Sequence, residues 1–162
     1  MPEKQTIERA RRDKRQGKSP STQAGEFVRE EIHHIREGKH GARSARQAIA
    51  IGLNKARRAG VKLGTPRGVS ERTRKSAKSA SAHAGEKPSP ARSRAAHAAL
   101  EHESRSSASH DALSRQAKRN ARLRGAAARS RAAKKAVRTK GPVKRRAAAR
   151  KAARTRQRHA SR

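Results

Sequence analysis

The chain has no cysteine, no tryptophan and no tyrosine, and its one phenylalanine is Phe27. Without thiols, neither disulfides nor thiolate metal sites are available to it. No apolar run approaches the roughly 18 residues of a membrane-spanning helix, and the opening stretch MPEKQTIERARRDKR has no apolar segment of the kind that marks a secretory signal. The expected location is therefore the compartment of synthesis, the cytoplasm, with no membrane partner. With one aromatic side chain, the base stacking on which RNA and single-strand binders rely has almost nothing to work with. Acid is scarce too: 12 Asp and Glu stand against 45 Lys and Arg, for a net charge of +33, and the last acidic residue is Asp111.

What is present is basic charge, unevenly spread. Residues 1–64 carry net +9, residues 65–111 net +4, and residues 112–162 hold 20 Lys and Arg with no Asp or Glu. A block of like charge that long repels itself in water and is expected to be disordered when free. Duplex DNA presents a negative charge about every 1.7 Å of its axis and releases condensed counterions when that charge is neutralised. Phosphate contact needs no aromatics, so duplex DNA is the expected partner, with RNA as the alternative. Within the tail, Arg146, Arg150, Arg154 and Arg158 recur every four residues among alanines. Ala and Arg favour helix, but like charges at that spacing oppose it. The tail is thus expected to be disordered or conditionally helical, ordering along phosphates.

Large apolar residues cluster between positions 27 and 63. Ahead of them, Thr6 to Gln16 reads as a short charged helix ended by Gly17. A second helix begins at Ser19-Pro20, where Ser suits the cap and Pro the first turn. Ala24, Val28, Ile32 and Ile35 follow at helical spacing beside Phe27, and Gly38 and Gly41 end the pattern. A third helix starts at Ser44 with Gln47 three residues on, the spacing of a capping box. Ala45, Ala48, Ile49, Gly52, Leu53 and Ala56 form its apolar stripe, and Gly60 suits a left-handed cap. The fold class is mostly α: a small N-terminal helical hairpin module over residues 1–64, a low-complexity Ser/Ala/His-rich linker over 65–111, and a polybasic arm over 112–162. The hairpin core is small, so a second copy of the chain, as a homodimer, or a ligand is expected to complete it.

Catalytic patterns are missing. There is no Walker loop, nucleophile elbow or HExxH, so no enzyme activity, no catalytic residue and no cofactor is expected. Glu30/His33, Glu31/His34 and Glu37/His40 have the Glu-x-x-His spacing of di-iron bundles. The third helix offers no facing acid, so these are read as a polar helix face and no metal is expected. A helix-turn-helix would place the third helix in the major groove, but Ala48 to Leu53 is apolar and reads as core. Pro66-Arg67-Gly68 matches part of an AT-hook without its second arginine.

The stretch Ser21-Thr22-Gln23-Ala24-Gly25-Glu26-Phe27-Val28, and above all Arg46-Gln47-Ala48-Ile49-Ala50-Ile51-Gly52-Leu53 with Lys55-Ala56-Arg57-Arg58-Ala59-Gly60, resembles a bacterial family of small basic proteins of unknown function, whose members are often labelled DNA-binding. The resemblance covers about residues 1–64; it implies a bacterial source and supplies no catalytic residues. The tail separately resembles, in composition, the C-terminal arms of histone-H1-like proteins. The function expected is non-enzymatic, histone-like binding of duplex DNA with little sequence preference, in the nucleoid. The alternatives are an RNA- or ribosome-associated protein and a protein-interaction adaptor built on the helical module. The residues expected on phosphates are Arg115, Lys118, Arg119, Arg122, Arg124, Arg129, Arg131, Lys134, Lys135, Arg138, Lys140, Lys144, Arg145, Arg146, Arg150, Lys151, Arg154, Arg156 and Arg158 in the arm, with Lys55, Arg57, Arg58 and Lys62 at the basic end of the third helix.

Overall fold

The structure, a computed structural model, describes residues 2–66 and 68–160. The described residues are helical or irregular, with no strand among them. The chain forms α1 (Lys4–Arg15), α2 (Pro20–Arg36), α3 (Ala45–Arg58), α4 (Glu71–Ala82), α5 (Pro90–Glu101), a 3-10 turn (Arg105–Ala108), α6 (His110–Leu123) and α7 (Gly125–Ala160). Two compact units divide it, residues 1–116 and 117–162, with the boundary inside α6. The AT-hook fragment turns on Arg67, which lies outside the described residues.

In the first unit α2 packs against both α1 and α3. Arg9 joins α1 to α2 by donating from Nε to Glu26 Oε2 at 2.6 Å. One cluster gathers Ala10, Ala24, Phe27, Ala56 and Val61, flanked by Ile7, Leu53 and Leu63. A second gathers Ile32, Ile35, Ala42, Ala48 and Ala108, flanked by Val28 and Leu113. Most of these side chains are small, so the backbones come close. At Gly52, on α3, a Cβ would stand 2.6 Å from Val28 Cα and 3.0 Å from Phe27 O. This is a helix contact that only the absence of a side chain permits.

The expected helix ends are present, with differences in detail. The Ser44 hydroxyl accepts from Gln47 N at 3.2 Å, while Gln47 Oε1 reaches back to accept from Arg43 N, one residue before the cap. The C-terminus of α3 closes with Gly60 N donating to Arg57 O and Val61 N to Ala56 O, the paired bonds of a Schellman motif. Ser19 precedes α2 but gives it no side-chain cap bond; its hydroxyl meets those of Ser21 and Thr22 instead.

Residues 65–111 are not a bare linker. They hold α4, α5 and the 3-10 turn; α4 packs on α3, with Ala77 and Ala80 buried and Asn54 Nδ2 donating to Ser76 Oγ at 3.3 Å. The 3-10 turn packs on α2 and α3, with Arg36 Nε donating to Ala108 O at 2.9 Å. Backbone bonds add to this: Gly41 N donates to Leu100 O and Ala42 N to Ser104 O. Much of the cover expected from a second copy is therefore supplied by residues 77–113 of the same chain.

The expectation of a disordered tail is corrected: α7 is a long helix from Gly125 to Ala160. Alanine, arginine and lysine are strong helix formers, and their summed propensity outweighs repulsion of a few tenths of a kcal/mol per like-charged pair. The helix breaks once, at Gly141 (φ 65°, ψ 173°), just before Pro142. Proline has no N–H to continue the ladder and excludes the residue before it from helical geometry.

Candidate nucleic-acid interface

Among the described residues of the second unit none is buried: α7 has no buried residue, and its large apolar side chains Val137 and Val143 are exposed, as is Leu123 at the end of α6. The basic residues of the arm, from Arg115 and Lys118 through Arg158, are all exposed. At about 100° per residue, those of 144–158 fall on every side of the helix. Arg146, Arg150, Arg154 and Arg158 drift across about 120° of its circumference, since each four-residue step adds about 40°. A helix polar all round has no face to lay on a core. The stretches before and after the break, residues 125–140 and 142–160, are about 24 and 28 Å long at about 1.5 Å per residue.

The four basic residues expected at the end of α3 divide. Lys62 is exposed and Arg58 half-buried. Arg57 is 7% exposed, its guanidinium 3.4 Å from both Asn54 Oδ1 and Gly64 O. Burial pushes its pKa below the ordinary arginine value, yet a guanidinium stays charged at neutral pH. Lys55 faces inward, with Nζ 2.6 Å from Glu31 Oε2 and 3.8 Å from Glu30 Oε1. Lys55 and Arg57 are thus engaged within the first unit.

Two of the acids of α2 are buried and not part of a polar face. Glu30 is 3% and Glu31 0% exposed. Glu26 is tied to Arg9, and Glu37 to Lys39 at 3.0 Å, a bond that raises the Lys39 pKa. His34 Nε2 donates to Glu3 Oε1 at 2.9 Å, which holds the Glu3 carboxyl below the usual carboxylate range. Of the three Glu-x-x-His pairs, the structure assembles one, Glu31 with His34, and adds His40 to it. His33 is exposed. Among the described residues no helix is long and apolar enough to cross a membrane.

No protein-family model, curated protein or solved structure matches this chain.

Proposed function

We propose that the protein is a non-enzymatic, histone-like DNA-binding protein that contacts duplex phosphates through residues 112–162 with little sequence preference, acting in the bacterial nucleoid. The observation that carries this reading is the arm itself: 20 basic residues without one acid, the described ones exposed on helix that is charged on all sides. Such a surface attracts polyanions unavoidably, and counterion release from duplex DNA makes the contact favourable without base readout. The scarcity of aromatics disfavours single strands and RNA loops. The adaptor reading calls for an apolar patch on the helical hairpin, whereas among the described residues the exposed large apolar ones are Leu123, Val137 and Val143, outside it.

The reading predicts binding that is steeply salt-dependent and nearly blind to sequence. Each neutralised phosphate contributes about 0.9 to the slope of log K against log salt, so engagement of about eight arm residues gives a slope of about −7. Titrating random duplex, a fixed-sequence duplex and structured RNA across a salt series checks it. A slope shallower than about −2 on duplex DNA removes the polybasic-arm mechanism, and tighter, more salt-resistant binding to the RNA transfers the role to RNA.

A further inference from the structure

Glu31 and His34 lie one turn apart on α2, and the chain reverses at the end of that helix. Gly38, at φ +80°, donates from its N–H to Ile35 O, and Lys39 N donates to His34 O. Glycine adopts that conformation without strain. The reversal carries His40 back over α2, where its Nε2 is 3.5 Å from Glu31 Oε1. One ligand atom from each of Glu31, His34 and His40 lies within 4.8 Å of the others. The three side chains are 0%, 13% and 9% exposed.

Two independent features point to a cation here. The first is hydrogen bonding. Glu31 Oε2 is taken by the Lys55 ammonium at 2.6 Å, but Glu31 Oε1 has no hydrogen-bond partner, and neither has Glu30 Oε1. His40 Nδ1 lies 3.0 Å from Gly41 O, and a carbonyl can only accept, so that nitrogen carries a proton. In the neutral ring Nε2 then presents its lone pair toward the carboxylate. The second is charge. Two buried carboxylates, Glu30 and Glu31, face one ammonium, Lys55, and buried charge left uncompensated is costly. Lys55 sits against Oε2 of Glu31 and leaves Oε1 turned to His40.

We propose that Glu31, His34 and His40 form a binding site for one divalent transition-metal ion of the zinc class. Two imidazoles with one carboxylate suit such ions, whereas calcium and magnesium favour all-oxygen shells. Donors about 2.1 Å from a tetrahedral ion stand about 3.4 Å from each other, close to the Glu31–His40 separation. Three protein donors leave the fourth position to water. The Gly41 carbonyl orients His40 from behind, as outer-shell acceptors do for metal-bound histidine. Surface depressions beside His34 and beside His40 give access from solvent. The ion would join α2 to the loop leading into α3. This proposal is independent of the DNA-binding reading.

The test is zinc titration of the full chain without nucleic acid, by competition against a chromophoric chelator, with cobalt(II) as a spectroscopic stand-in. The expected result is one ion per chain, a visible cobalt spectrum of low coordination number, and imidazole NMR signals of His34 and His40 that move together with zinc. His40→Gln and Glu31→Gln should each weaken binding at least about tenfold, and His110→Ala, at an exposed histidine, should leave it unchanged. The NMR readout on the native chain decides the matter even if a variant fails to fold. No zinc binding, or binding that shifts other histidines and survives both substitutions, overturns the proposal.

Discussion

Lys55 shows how much of this protein turns on single placements. Its position in a basic cluster suggests phosphate contact, yet its ammonium lies against Glu31 and Glu30, which are essentially closed to solvent. Removing one partner of a buried ion pair leaves an uncompensated charge and costs about 3–5 kcal/mol. Lys55→Met keeps the length of the side chain and removes its charge, so it should lower the stability of residues 1–116 by about that amount. Adding Glu31→Gln should recover part of the loss, because one of the stranded carboxylates is then gone. Urea unfolding of the single and double variants measures both effects. A loss under about 1 kcal/mol would mean that water, not Lys55, compensates the two acids.

The packing of α2 on α3 gives the same substitution opposite signs at two glycines. At Gly52 an added methyl meets the α2 backbone at Val28 and Phe27, and forcing helices apart costs about 1–3 kcal/mol. At Gly25, in the middle of α2, nothing lies within 4 Å, and alanine is favoured over glycine in a helix by about 0.5–1 kcal/mol. Gly52→Ala should therefore lower the thermal midpoint and Gly25→Ala raise it; equal signs would show that α2 and α3 do not meet at Gly52. The helices of the hairpin are legible in the sequence. The spacing of Ala24, Val28, Ile32 and Ile35 marks α2, and Ser44 with Gln47 marks the start of α3. Residues 65–111 were not legible as part of the fold, because they dock through Ala77, Ala80, Ala108 and backbone bonds at Gly41 and Ala42, none of which leaves an apolar period. Of the Glu31–His34–His40 cluster, only the first pair shows as a spacing. His40 joins it through the turn at Gly38, a contact that no periodicity encodes. The arm's basic character is plain from composition, and the sequence also marks it as conditionally helical; that the helix stands without a polyanion is not legible, because like charges at four-residue spacing oppose what alanine and arginine propensity favours.

Charge divides the molecule as clearly as packing does. Residues 1–116 carry every acidic residue of the chain and net +14, and residues 117–162 carry net +19 with no acid at all. The first unit keeps both apolar clusters, so a chain ending at Gln116 should fold. It should also be more stable than one ending at Gly64, which lacks α4 and the 3-10 turn. The second unit has no buried residue in α7, so its helix rests on propensity against like-charge repulsion. The helix of residues 112–162 alone should therefore resist heating better as salt is raised toward 1 M, where the screening length falls to about 3 Å, and better again when duplex DNA supplies phosphates. Pro in place of Ala148 and Ala152 should suppress that resistance, at about 3 kcal/mol for each proline inside a helix, while affinity falls only modestly because charge is unchanged. Circular dichroism below the DNA bands, run beside binding titrations of the two halves, reads all of these outcomes. The arm should hold most of the affinity and nearly all of the salt slope. If the chain ending at Gln116 bound duplex DNA almost as tightly as the whole protein, the helical module would be the binding element, and the alternation of arginine and alanine in α7 would need another explanation.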